Sequence, residues 1–382
     1  MKLCERRKMV EDSLKFIWFL SKIYKLGNTK IRNLLGVYNN SYDFFNCSIN
    51  DLKKIDGIDT NIAGEIEHAR KDRQRYFTEF ENVLRDAERK KINIITILSK
   101  EYPSNLKNIF DAPVILYYKG ILKTSDKYSL SIVGTRNPTE YGKYTCEKFT
   151  EKLSALEIPI ISGFARGIDS IVHKVCINNN NLTYAVLGSG VDVIYPSENR
   201  KLYSEIIEQG AVVSEFPMGA KPDKVNFPRR NRIISGMSLG SIVIESGIKG
   251  GSLLTAEFAL DQGKEVFAVP GYINSKQSEG TNEIIKKGQA KLITCVDDIL
   301  SELEHKLKPV LKKEMFVKEA EVVTNLNEAE RKIYDVLGYE LKHIDSINEE
   351  SGLPISDCLV NLLSLEFKGV IRQSMGKNFI RI

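Results

Sequence analysis

Several absences narrow the class of this sequence before any motif is read. Its six cysteines (Cys4, Cys47, Cys146, Cys176, Cys295, Cys358) are scattered over 382 residues without a C-x-x-C pair. That spacing argues against a zinc ribbon or a disulfide framework and fits a reducing compartment. Four histidines are too few and too dispersed for a metal site, and neither metal nor cofactor is expected. No apolar run approaches the ~18 to 20 residues that a membrane span needs. The apolar patch Phe16 to Leu20 behind the basic start is also too short for a signal peptide. A cytoplasmic protein is therefore expected. There is no internal repeat, and the polar stretch Asn178 to Asn181 is too short to count as low complexity.

What is present is ordinary for a globular chain: 42% hydrophobic and 27% charged residues, at a length that predicts two or three domains. The net charge is +5, and it is unevenly placed. Residues 1–91 hold 19 Lys and Arg against 14 Asp and Glu, whereas the remaining 36 and 36 cancel. A basic front end is compatible with nucleic acid and equally with a solvated helical surface of mixed charge.

Hydrophobic periodicity divides the chain. Residues 1–91 read as short helices with apolar residues three and four apart and glycines between them. Over 92–303, short β-rich runs (NIITI, VILYY, LSIVG, IPIISG, TYAVLG, AVVSEF, SIVIES, EVFAVPG, AKLIT) alternate with amphipathic helices. Near-continuous apolar strands in such an alternation predict an α/β fold with a doubly wound, mostly parallel sheet. Residues 304–325 are charged and weakly patterned, as in a linker. Residues 326–382 predict three helices and a hairpin turning near Gly376 and Lys377, a winged-helix-like arrangement.

Four segments carry the chemistry. In SIVGTRNPTEYG (131–142) a buried strand ends at Gly134, and Thr135 and Arg136 follow where a helix begins. Helix-start amides favour an anion, and a guanidinium matches phosphate geometry. ISGFARGIDSIVHKV (161–175) repeats the strand-to-helix turn, with a helix expected from about Arg166. Its Ser162, Asp169 and His173 do not make a hydrolase triad, because Asp169 and His173 stand i, i+4 on one helix and no nucleophile elbow is present. A long loop, FPMGAKPDKVNFPRRNRIISGMS, carries Lys221, Lys224, Phe227, Arg229 and Arg230. Cations interleaved with an aromatic suit phosphates and an unpaired base; Asn231 and Arg232 open a helix. IESGIKGGSLLTAEFAL (244–260) offers a glycine-rich turn at Gly250 and Gly251 without Walker spacing. A fifth stretch, VLGSGVDVIYP (186–196), is only a partial dinucleotide fingerprint, in which Asp192 either holds a ribose or, the favoured reading, caps the turn.

Taken in order, GTRNPTEYG, SGFARGIDSIVH, NFPRRNRIISG, KGGSLLTA and AVPG resemble the motifs of the DNA-processing protein A family (DprA, also called Smf) over residues 92–303. Thr135 and Thr139 stand where that family usually has serine, and Gly250 replaces a further serine. The resemblance implies an extended Rossmann-like domain flanked by an N-terminal helical domain, like a sterile-alpha-motif or helix-hairpin-helix module (LKKIDGID, 52–59), and a C-terminal winged helix. It implies a homodimer, not an enzyme, that binds single-stranded DNA and delivers it to the RecA recombinase in recombination or natural transformation. By motif position Arg136, Lys224 and Phe227 are its DNA contacts. Gly134, Thr135, Ser162, Gly163, Arg166, Gly250 and Gly251 line the pocket. In the winged helix, residues 354–368 hold the recognition position with a single cation, Lys368, which fits protein interaction as well as duplex binding. A competing resemblance is to phosphoribohydrolases, whose catalytic glutamate would fall near Glu257, although their P-G-G-x-G-T core is missing. A pure recruitment module is the third alternative.

Overall fold

The computed structural model describes residues 2–38, 40–123, 126–307, 326–338, 342–368, 370–374 and 376–381. Residues up to Lys306 form one compact unit, and the described residues from Leu307 onward form a second.

The first unit opens with helices α1 (Lys2–Ser21), α2 (Asn28–Val37), α3 (Ser41–Asn46), α4 (Ile49–Leu52), α5 (Thr60–Lys71) and α6 (Arg73–Lys90). Their side chains at helical spacing bury an aromatic cluster of Phe16, Trp18, Phe19, Phe44 and Phe80. This cluster is continuous with the core under the sheet, reaching Leu116 and Tyr117. The helical front end and the α/β region therefore share one core, although their sequence patterns differ. In the LKKIDGID turn, Gly57 adopts φ 80°, which a glycine tolerates without strain. Asp59 then caps α5 by accepting from the Ile62 amide at 2.8 Å.

Nine strands follow: β1 (Asn93–Thr96), β2 (Ile115–Gly120), β3 (Leu130–Gly134), β4 (Ile160–Ser162), β5 (Thr183–Val186), β6 (Ala211–Ser214), β7 (Gly240–Ile244), β8 (Glu265–Ala268) and β9 (Lys291–Leu292). They form one sheet in the order β1-β2-β6-β5-β4-β3-β7-β8-β9. β1–β2 and β2–β6 pair antiparallel and all other neighbours pair parallel. Strands β3 to β7 are almost wholly buried, which is why they read as continuous apolar runs. The sheet is covered by α7 (Ser104–Lys107), α8 (Glu140–Ala155), α9 (Ile168–Asn178), α10 (Arg200–Gln209), α11 (Asn226–Met237), α12 (Gly251–Asp261), α13 (Glu279–Lys286) and α14 (Val296–Glu302). The chain winds one way from β3 to β6 and the other way from β7 to β9. The reversal between β3 and β7 is the topological switch point, where ligands of such folds bind.

The stretch expected as a linker starts in helix, since residues 304–307 are still helical; the rest of it, 308–325, lies outside the described residues. The second unit has α15 (Glu328–Val336), α16 (Ile344–Ser351) and α17 (Ile355–Phe367), with β10 (Lys342–His343), β11 (Ile371–Ser374) and β12 (Asn378–Arg381). The sheet order β10-β12-β11 gives the hairpin and its added strand. A capping box between Asn327 and Glu330 starts α15. Lys368, the cation near the end of the recognition-position helix, is committed to the buried Glu330 at 2.7 Å, and Ser364 donates to the same carboxylate at 2.6 Å. The outward face of α17 is apolar, with Ile355, Leu359, Leu363 and Phe367 exposed.

Candidate nucleic-acid interface

A groove of about 650 Å³ lies over the switch point, at the carboxyl edge of β3 and β7. The first turns of α9, α11 and α12 line the groove through Asp169, Phe227, Gly251 and Ser252, so positive helix-dipole ends face it. Gly134, Thr135 and Arg136 form one wall, Lys224 and Phe227 another, and Gly250 and Gly251 the far end.

The loop that carries Arg136 is tightly held. The Thr135 amide donates to Glu245 O at 2.8 Å and Thr135 O accepts from Ile168 N at 3.2 Å. Thr139 caps α8 by accepting from the Gly142 amide at 3.1 Å. The Thr139 amide donates to Glu245 Oε2 at 2.9 Å, and its hydroxyl donates to Glu245 Oε1. Both threonines that replace serines thus use their hydroxyls, Thr135 Oγ1 accepting from the Asn137 amide at 3.2 Å. Glu245, at φ 51° just beyond β7, latches the whole turn. Gly167, at φ 76°, lets α9 start beneath it: a Cβ there would meet Thr135 O at 2.4 Å.

Phe227 sits in the first turn of α11, not in a loop as the sequence predicts. Pro228 fits there because the first helical turn has no amide partners to lose and accepts proline. The ring packs on the backbone of Gly188, where a Cβ would lie 2.8 Å from Phe227 Cδ1. Tyr195 stands at 5.8 Å between ring centroids, and the Arg136 guanidinium carbon is also 5.8 Å from the Phe227 centroid. Arg136 and Lys224 are exposed, and Phe227 is half-buried with one edge towards the groove.

Other expected lining residues lie elsewhere. Ser162 is fully buried, and its hydroxyl donates to Ile132 O at 2.6 Å, so it fastens β4 to β3 behind the wall. Gly163 is likewise behind the surface: a Cβ there would strike Asp169 Oδ2 at 2.3 Å and the Arg230 guanidinium at 3.0 Å. Arg230, though buried, lines the groove floor, donating to Val186 O and, through Nε, to Asn231 Oδ1 at 3.2 Å. Burial lowers its pKa to about 10, partly countered by Asp169. Burial also pushes the Asp169 carboxyl up, with Arg230 pulling it back. Arg229 turns away, stacking over Phe216 at 5.4 Å and reaching Glu215 at 3.8 Å. Arg166 is exposed and ion-paired with Glu198 beside a small side cavity of about 80 Å³.

Gly250 shows why serine is absent there. Its Cβ would fall 2.1 Å from Ser246 Oγ, which receives a hydrogen bond from Ser252 Oγ at 2.8 Å. Hydroxyls at 246 and 252 thus line the cradle in its place. Tyr195, Ser246, Ser252 and the latch Glu245 escaped the sequence reading. Glu245, Ser246 and Ser252 fall within the glycine-rich segment 244–260, but no spacing there singles them out. Asp192 ties its turn to other segments, accepting from the Gly219 amide at 2.8 Å and pairing with Lys90 at 2.6 Å. Glu257 is exposed beside a separate depression of about 110 Å³ and does not line the groove. Among the described residues there is no cluster of three or more metal-ligating side chains, and no helix is long and apolar enough to cross a membrane.

Asp169 and His173 do not make the local contact expected of them. His173 Nε2 donates to Gly163 O at 2.6 Å, and Nδ1 lies 2.7 Å from Thr183 Oγ1. Burial holds this imidazole neutral, with its pKa lowered from 6.5 to about 4. The unfolded chain therefore takes up a proton near pH 6.5 that the folded chain refuses until about pH 4. Stability contributed by neutral His173 should be lost as pH falls through that window, on the order of 3 kcal/mol. Urea unfolding at a series of pH values should show this slope, and His173→Gln should flatten it. An unchanged slope in the variant would assign the effect elsewhere.

Against known proteins, residues 93–304 match the family model described as DNA recombination-mediator protein A, and 318–377 match the DprA winged helix domain. Protein Smf of Escherichia coli is 38% identical over 293 residues, covering 76% of this chain and 77% of Smf. The solved structure of DNA processing protein A from Streptococcus pneumoniae superposes with TM-score 0.64 at 34% identity, covering 76% of this chain and 97% of that one. A second, from Helicobacter pylori, is described for its single-stranded DNA binding mode. It aligns with TM-score 0.51 at 29% identity, over 56% of this chain and 96% of that one.

Proposed function

As the chain belongs to the DNA recombination-mediator protein A (DprA/Smf) family, we propose that it binds single-stranded DNA in the switch-point groove and passes it to a RecA-type recombinase without altering it chemically. The observation that carries this reading is the set of Phe227, Tyr195 and Arg136 above a floor of helix N-termini. A half-buried ring with a cation beside it stacks an unpaired base while the guanidinium and Lys224 take phosphates. A duplex keeps its bases stacked inward and presents nothing for Phe227 to receive. The protein acts as a homodimer in the cytoplasm, during recombination or natural transformation; this part rests on family membership alone.

Binding of an unstructured oligonucleotide, measured over a salt series, tests the groove. Affinity should fall with salt, each phosphate contact adding about 0.7 to the logarithmic slope for a single strand. Arg136→Ala should weaken binding roughly tenfold and flatten the slope by about one contact. Equal affinity for a duplex of the same length, or an unaltered Arg136→Ala, would overturn the assignment. Added recombinase should load faster on strands carrying this protein than on strands coated with single-strand-binding protein alone.

A further inference from the structure

We infer that the single strand does not end at the glycine turn but continues to a second aromatic platform, Tyr272 with Ile273 and Tyr141, at the carboxyl end of β8. The inference rests on the groove reading above and extends its footprint.

Tyr272 and Ile273 are 79% and 87% exposed, in a loop between β8 and α13 that is held in place. The Gly271 amide donates to Asn282 Oδ1 at 3.1 Å, and Gly271 O accepts from Asn282 Nδ2 at 3.0 Å. The Ser275 amide donates to Tyr272 O at 2.9 Å. Tyr141, on the first turn of α8 just past the Arg136 loop, donates its hydroxyl to Pro270 O at 2.9 Å. Two large apolar side chains presented outward by a tied backbone are a built surface, and such patches mark contact sites.

The loop abuts the groove directly. A Cβ on Gly247 would lie 3.3 Å from Lys276 O, and the Gly280 amide donates to Ser246 O at 2.7 Å. Gly247 and Ser246 line the groove already described. Lys249 and Lys276 are exposed on the two sides of this junction. The sheet order sets the scale. Phe227 lies on Gly188, just past β5, and Tyr272 lies just past β8, four strand spacings away through β4, β3 and β7. At ~4.8 Å per spacing that is roughly 19 Å, the reach of a few nucleotides of extended strand. Rings at both ends with anion-binding turns between them match what a single strand offers, bases at intervals along a charged backbone.

Binding of oligothymidylates of about 2 and about 15 nucleotides separates the platforms, since two nucleotides fall short of that span. Tyr272→Ala should weaken the long oligomer about tenfold and leave the short one unchanged, whereas Phe227→Ala should weaken both. Tyr272→Trp should bind the long oligomer as the parent does and have its indole emission quenched by it alone. If Phe227→Ala weakens binding but Tyr272→Ala has no effect at either length, the second platform is wrong and the groove stands. If neither matters, the groove reading itself falls. If Tyr272→Ala changes the sedimenting mass with affinity per protomer unaltered, the patch is a contact between copies and the inference is overturned.

Discussion

Phe227→Ala should reduce affinity for a single strand about tenfold to a hundredfold, the equivalent of one base–aromatic stack. The ring is already positioned: Gly188 forms its seat, Tyr195 its flank, and Arg136 stands over it. Stacking is tolerant of base identity, so oligomers of thymine and adenine should lose affinity alike. Phe227→Tyr should retain most of it. Gly188→Ala provides a test of seating alone, since its methyl must displace the ring by pressing on Cδ1. A filter-binding or anisotropy titration reads all four proteins, and thermal unfolding checks that each is folded. An alanine variant that binds as the parent does would remove the aromatic from the mechanism.

Glu215→Ala should cost stability on the order of 3 to 5 kcal/mol, because it strands a buried cation. Glu215 follows β6 and pairs with Arg232 of α11, both side chains being under a tenth exposed. Arg232 also faces the Asp111 carboxylate at 3.4 Å, so this arginine ties α11 to two other segments. Burial raises the Glu215 carboxyl, with Arg232 opposing that shift. Removing the carboxylate leaves Arg232 only the more exposed Asp111. Replacing both partners together, as Glu215→Leu with Arg232→Met, should recover much of the loss, since neither charge is then left without its partner. Urea titrations of the parent and these two variants decide this. A single variant as stable as the parent would mean that water reaches the pair.

The fold was legible because strands buried on both faces leave continuous apolar runs, and each of the nine runs read from the sequence holds a strand. The groove was legible where chemistry is local, as with Gly134, Thr135 and Arg136 at one strand end or Gly250 and Gly251 at another. It was illegible where burial decides. Arg229, Arg230 and Arg232 look alike in a basic run, yet one turns aside, one is buried in the groove floor and one is locked in a buried pair. From Arg230 to Met237 the helix is buried on every side, so no periodicity separates the buried Arg230 and Arg232 from the exposed Arg229. Ser162 and Gly163 carry the motif yet serve packing behind the wall. Tyr195 and Glu245 reach the site only through tertiary contact, so no spacing in the chain announces them.

Glu245 also bears on how quickly the groove works. Its carboxylate and carbonyl fix the Arg136 turn through the Thr139 amide, the Thr139 hydroxyl and the Thr135 amide. The entropic cost of ordering that turn is met when the protein folds, so an arriving strand has no loop to arrange. Encounter then depends on diffusion and charge attraction, and differences in grip between strands appear in how long they stay, not in how fast they land.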